Sequence, residues 1–299
     1  QVPPCPPLPN CPHGLLVVGP LDLDTQEKEA IAALAQATGW PIIADPASSL
    51  RHAPHTNKAL VLSASEHIFR SAWADQHAPE VVVQLGALPT SKAYRLWLDR
   101  TRPAQIITVD HAGRHPDPLL LVTERIDLAP ADWAARVTVA HTKDLSWSQA
   151  WQEAERTAAA AVADLSAHAP FNNPAVVDVL GAQLSAQTAL VVGNSMPIRD
   201  LDAFLPTGPK PLQVYANRGA NGIDGQVSTA LGVAAGHDES TVFFTGDLTL
   251  LHDLSGWSAA RRLGVDLTVV VVDNNGGGIF SFLPIAGQHP VDPRRLVHP

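Results

Sequence analysis

The chain has 299 residues, 45% of them apolar and only 16% charged. That composition excludes a disordered segment and supplies apolar material for about two domains. The balance of 20 basic and 29 acidic residues, a net charge of −9, lacks the basic stripe of a nucleic-acid binder, and no apolar run reaches the ~18 residues of a membrane span.

Residues 1–13 hold six of the 26 prolines and both cysteines, Cys5 and Cys11. This stretch reads as a stiff linker. Two cysteines make neither a disulfide framework nor a zinc site, so free thiols and a reducing, cytoplasmic setting are expected. Gln1-Val2-Pro3-Pro4 has no initiator Met and no signal-peptide pattern, which reads as a piece of a longer or processed chain.

Beyond the linker, apolar runs at 15–18, 41–44, 81–85, 106–109 and 119–122 are predicted strands. Predicted helices lie between several of them. One is capped by Asp24 or Thr25 and runs to Thr38, with Ile31, Leu34 and Ala35 on one face; another starts near Ser91. A long Ala-rich helix is predicted over 146–167. The sequence then breaks at 169–174, around Pro170 and Pro174, and a domain boundary is expected there. The alternation restarts with strands at 190–192, 213–215, 241–244 and 267–272 and helices at 198–204, 228–235 and 250–263. The tail, 288–299, is Pro-rich and reads as a domain cut short. Continuous apolar strands alternating with helices predict parallel sheets covered on both faces. The fold class is therefore α/β, with two consecutive doubly wound domains: a linker at 1–13, a first domain at 14–168 and a second at 169–299. Gly19 after the first strand lacks a GxGxxG context and makes only a weak case for a dinucleotide.

The chemistry concentrates between Gly246 and Phe282. One strand ends in Gly246-Asp247 and the next in Asp273-Asn274-Asn275-Gly276-Gly277-Gly278. A right-handed βαβ unit brings both carboxyl ends to one sheet edge, where open α/β sheets bind ligands. Asp247 and Asn274, 27 residues apart, then stand side by side. One carboxylate, one carboxamide oxygen and glycine carbonyls form a hard-oxygen set suited to Mg²⁺ and a phosphate-bearing ligand. Taken singly, the same residues can be a helix-capping Asp and an Asn-Gly turn.

Gly-Asp, a spacing of 27, then Asn with Gly two positions on resembles the fingerprint of thiamine-diphosphate enzymes. Leu248 stands where Gly is common in that fingerprint. With the stretch Tyr215-Ala216-Asn217-Arg218-Gly219-Ala220-Asn221-Gly222-Ile223 and the run from Asn274 to Pro284, the chain is similar to the 2-succinyl-5-enolpyruvyl-6-hydroxy-3-cyclohexene-1-carboxylate synthase family.

The resemblance implies a central domain and a diphosphate-binding domain here. It also implies a pyrimidine-binding domain before Gln1, with the family's catalytic Glu, and further chain after Pro299. It implies that Asp247, Asn274 and the Gly276 carbonyl hold Mg²⁺ (or Mn²⁺). Thiamine diphosphate would meet Asn194, Ser195, Ile223, Gly246, Asp247, Leu248, Thr249, Asn274, Gly276 and Ile279. Lys92, Ser195, Arg199, Arg218, Phe280 and Leu283 would face the substrates, 2-oxoglutarate and isochorismate. Plain core packing remains the other reading of Ile279, Phe280 and Leu283. The implied activity is decarboxylation of 2-oxoglutarate and addition of the four-carbon remainder to isochorismate, in menaquinone or phylloquinone biosynthesis, by a homo-oligomer. Another thiamine enzyme, of acetolactate-synthase or 2-oxoacid-decarboxylase type, or a non-catalytic cofactor-binding fragment, are the alternatives.

Overall fold

The apolar runs of the first half assemble into one parallel sheet. The computed structural model describes residues 5–52, 59–114, 117–168 and 172–283. Residues 169–171 of the expected break at 169–174, Pro284 and the tail at 288–299 lie outside the described residues, and 173–174 open a helix. The chain divides into two compact units, residues 1–183 with 202–211, and residues 184–201 with 212–299.

In the first unit, β1 (Gly14–Val18), β2 (Ile42–Ala44), β3 (Val61–Leu62), β4 (Val81–Leu85), β5 (Gln105–Val109) and β6 (Glu124–Ile126) pair in the order β3-β2-β1-β4-β5-β6, all parallel. Side chains alternate across the sheet. Leu16 and Val18 enter one core with Ile31, Leu34, Trp40 and Trp133. Leu15 and Val17 enter the other with Phe69, Trp97, Trp147 and Trp151. Helices cover both faces, so β1, β2 and β4 are buried along their whole length. The sheet contains Val61–Leu62, too short a run to be read as a strand beforehand.

Helix α1 (Thr25–Thr38) starts as predicted. The Asp24 carboxylate accepts the Glu27 N–H and the Glu27 carboxylate accepts the Asp24 N–H, both at 2.8 Å. Such a cap contributes about 1 kcal/mol. Helices α2 (Ser65–Ile68), α3 (Ala72–Gln76), α4 (Lys92–Thr101), α5 (Pro130–Arg136), α6 (Leu145–His168) and α7 (Asn173–Gln183) follow. Helix α7, not read from the sequence and lying in the stretch expected to open the second domain, groups with the first unit.

Two expectations for this unit are corrected. Residues 119–122 form no strand. The Asp117 carboxylate accepts the N–H groups of Leu121 at 2.9 Å and Val122 at 3.0 Å, and Leu120 has φ of 56°. A side chain thus takes the donors a ladder would need, and the strand begins at Glu124. Among its described residues, 5–13, the Pro-rich start has no helix or strand, yet these residues are no solvated spacer: Leu8 and Cys11 are buried in the first core and the Leu8 N–H donates to the Thr138 carbonyl. Cys5 and Cys11 are unpaired.

The 3-2-1-4-5-6 order is that of dinucleotide-binding sheets, whose ligand sits between strands 1 and 4. Here the turns after β1 and β4 close on each other. A Cβ on Gly19 would lie 1.7 Å from the Ala87 carbonyl oxygen.

The second unit carries β7 (Ala189–Val192), β8 (Gln213–Ala216), β9 (Thr241–Gly246) and β10 (Leu267–Val272), all parallel, in the order β10-β9-β7-β8. Helices α8 (Met196–Phe204), α9 (Gln226–Gly236), α10 (Asp247–His252) and α11 (Trp257–Leu263) connect them, the last turn of α8 grouping with the first unit. The single helix expected over 250–263 is corrected to two, with a 3₁₀ turn at Leu254–Gly256 between them. The cause is Asp253, whose carboxylate accepts the Ser228 N–H at 2.7 Å and so bends the chain toward α9. Among the described residues, no helix is long and apolar enough to cross a membrane.

Candidate functional site

Register decides which residues meet at the carboxyl edge of the second sheet. Val272 of β10 pairs with Gly246 of β9, so Asp247 and Asp273-Asn274 leave their strands together. Val192 of β7 pairs with Phe244 and with Ala216 of β8. Gly193-Asn194-Ser195 and Asn217-Arg218 therefore emerge beside them.

A cavity of about 310 Å³ opens at this edge. It brings together Ser195, Arg199, Arg218, Ile223, Gly246, Asp247, Leu248, Thr249, Asn274, Ile279 and Phe280, eleven of the residues expected to form a site. Gly277 and Gly278 of the glycine run and Asn221 of the 215–223 stretch also line it, as do Met196 and Pro197, which were not singled out beforehand. The one signal for Met196 is that it is the only methionine in the chain. Ile279 and Phe280 are half-buried cavity walls, not core.

Four expected residues stand elsewhere. Asn194 is fully buried beside the cavity without lining it. Gly276 is buried, and its N–H donates to Asp247 Oδ2 at 2.8 Å. Leu283 is exposed and outside the lining. Lys92 is exposed in the first turn of α4, in the first unit.

The loop after β10 is built around the two oxygen donors. Asn275, Gly276 and Gly277 follow one another at φ of 63°, 79° and 61°. This left-handed run turns the backbone back, and glycine takes it without strain at two of the three positions. Gly276 N–H then reaches Asp247, and the Gly278 N–H donates to Asn274 Oδ1 at 3.3 Å. Gly246 precedes α10 and brings no capping side chain to that helix's first turn.

The cationic side of the cavity has its own scaffold. Ser195 has φ of 72°, a non-glycine residue in the left-handed region, and its carbonyl accepts Arg199 Nη1 at 2.6 Å. Such a conformation costs of order 1 kcal/mol and marks a place where backbone shape serves the site. Arg218 Nη1 donates to Asn194 Oδ1 at 2.8 Å. One cavity thus holds a carboxylate, a carboxamide and two guanidinium groups. The first pair suits a hard divalent cation, the second suits carboxylates.

Comparisons with known proteins bear on this arrangement. Residues 11–192 match the family model described as the middle domain of thiamine pyrophosphate enzymes, and residues 202–296 the model of the thiamine pyrophosphate enzyme C-terminal TPP binding domain. The chain is similar to proteins named 2-succinyl-5-enolpyruvyl-6-hydroxy-3-cyclohexene-1-carboxylate synthase. Identity is 39% with that of Chloroflexus aurantiacus, over 92% of this chain and 48% of the relative. It is 41% with that of Myxococcus xanthus, over 94% and 48%. It is 43% with that of Geobacillus kaustophilus, over 92% and 48%. The chain spans about half the length of the curated relatives it matches. With a middle-domain match over more than half of its residues and a TPP-binding match over its second unit, the chain belongs to the thiamine pyrophosphate enzyme family.

Proposed function

We propose that the whole protein carrying this chain is a thiamine-diphosphate-dependent synthase that decarboxylates 2-oxoglutarate and transfers the four-carbon remainder to isochorismate. The name of these relatives supports that product. The observation that carries the reading is the sharing of one cavity by the Asp247–Asn274 pair and by Arg199 and Arg218.

The residues present fit the cofactor. Asp247 and Asn274 are hard-oxygen donors for Mg²⁺ or Mn²⁺, and the glycine turn beside them lets a diphosphate approach backbone. Thiamine diphosphate, when bound, supplies the electron sink for loss of CO₂. The protein's own part is recognition and shelter. Each proposed substrate carries two carboxylates, and a guanidinium fork pairs with a carboxylate through two parallel N–H···O bonds. Ile223, Ile279 and Phe280 give the cavity apolar walls that exclude water and strengthen those charge pairs. A cytoplasmic homo-oligomer belongs to the same reading.

The test is donor choice in the complete enzyme. With thiamine diphosphate and Mg²⁺ present, 2-oxoglutarate should be consumed in proportion to isochorismate. Arg218→Ala and Arg199→Ala should each lower kcat/KM by about 30- to 1000-fold, the value of a charge-assisted contact to a desolvated carboxylate. Preference for a 2-oxoacid with a single carboxylate would favour the acetolactate-synthase or decarboxylase alternative.

A further inference from the structure

We infer that Asn194 is a positioning residue for Arg218 and not a ligand of the cofactor, an inference that rests on the carboxylate-recognition reading above. The carboxamide of Asn194 has no N–H left for a ligand, and its oxygen is already held by Arg218. Its Nδ2 donates to the Asn217 carbonyl at 2.9 Å and to the Gly222 carbonyl at 2.7 Å. Its Oδ1 accepts from Arg218 Nη1 at 2.8 Å. Two donors and an acceptor are thereby engaged, and the side chain is fully buried. The orientation of the amide follows from its partners: two carbonyls need the nitrogen and a guanidinium needs the oxygen.

The consequence is local and specific. Asn194 ties both ends of the 217–222 loop to the turn after β7. Gln226, itself buried, donates from Nε2 to the same Gly222 carbonyl at 2.9 Å and fixes the loop to the start of α9. Arg218 lines the cavity on this loop, and Asn194 does not line it. An unheld arginine gives up rotamer freedom when it meets a carboxylate; one already held gives up less. A neutral acceptor holds the guanidinium without neutralising it. An aspartate at 194 would compete with the substrate for that charge and would face two carbonyl oxygens. The geometry therefore accounts for asparagine in particular at this position.

The experiment uses the complete enzyme as Asn194→Ala, Arg218→Ala and the double variant. Thiamine-diphosphate affinity with Mg²⁺ is read by calorimetry, and kcat and KM are read for both substrates. Asn194→Ala should raise, by about 10- to 100-fold, the KM of the same substrate that Arg218→Ala affects. It should leave cofactor affinity within about twofold of the parent and add less than about twofold to Arg218→Ala. Asn194→Asp, nearly the same shape, should raise that KM as well, and it carries the test where the alanine variant folds poorly. A cofactor affinity weakened more than about tenfold, or effects of the two single variants that multiply in the double, would overturn the inference. So would a parent-like KM in Asn194→Asp. If Arg218→Ala itself leaves both KM values unchanged, the carboxylate-recognition reading fails first and the inference with it. Raised KM in Arg218→Ala with parent values in Asn194→Ala defeats the positioning role alone.

Discussion

Gly278→Ala separates the fold of the candidate site from its chemistry. A Cβ on Gly278 would lie 2.7 Å from Asn274 Nδ2, 2.8 Å from its Cγ and 3.2 Å from its Oδ1. All three atoms belong to the side chain of an exposed residue, so the carboxamide can swing away while the backbone stays. The loss is one long hydrogen bond, Gly278 N–H to Asn274 Oδ1 at 3.3 Å, about 0.5–1 kcal/mol where water can replace it. Gly278 is not in the left-handed region, so alanine also removes unfolded-state freedom worth about 0.4–1 kcal/mol. The two effects cancel, and the thermal midpoint should stay near the parent's. Metal binding should not. In the proposed function Asn274 is one of two side-chain oxygens that would hold Mg²⁺, and displacing such a ligand or its support costs about 10- to 100-fold in affinity. The assay is a calorimetric titration of thiamine diphosphate into the complete enzyme at fixed Mg²⁺, beside a thermal melt. Parent affinity with parent Mg²⁺ dependence would refute Asn274 as a ligand.

Three further outcomes follow from the same geometry. Asp247→Ala should weaken Mg²⁺-dependent cofactor binding by more than about 100-fold, since it removes the charged donor of the pair; folded protein that still binds in a Mg²⁺-dependent way would sink the assignment. Gly19→Ala should destabilise the first unit by about 1–3 kcal/mol or more, because the clash is with the Ala87 backbone, and an unchanged urea midpoint would count against the closed switch point. Asp144 caps α6 through Ser146 and meets His13, and these hydrogen bonds, led by that from the Ser146 hydroxyl, hold its carboxyl at about 2 instead of 3.8. Its folded pKa is depressed, so its contribution is present above pH 3.8 and lost as pH falls toward 2; melting temperatures of Asp144→Ala should vary less over that window than the parent's, and equal slopes would refute the cap.

Most of the β-strands were legible in the sequence because strands buried on both faces are largely apolar, a local property; the two-residue β3 and the polar β6 were not. The start of α1 was legible because a capping box links residues only three apart. The pairing of Asp247 with Asn274 was legible for a different reason: adjacent parallel strands must deliver their carboxyl ends to one edge, whatever lies between. Tertiary structure decided the rest. The apolar run at 119–122 became a turn because a single carboxylate, Asp117, took its donors. The helix over 250–263 broke because Asp253 reached Ser228, 25 residues away. Leu8 and Cys11 in the Pro-rich start found a core to fill. The amide nitrogen of Asn194 donates to carbonyls 23 and 28 residues further along the chain, partners that no local pattern announces. A hydrogen bond from a side chain to a distant backbone leaves no periodicity and no fixed spacing in the sequence, so only the folded chain reveals which polar residues face a ligand and which hold those that do.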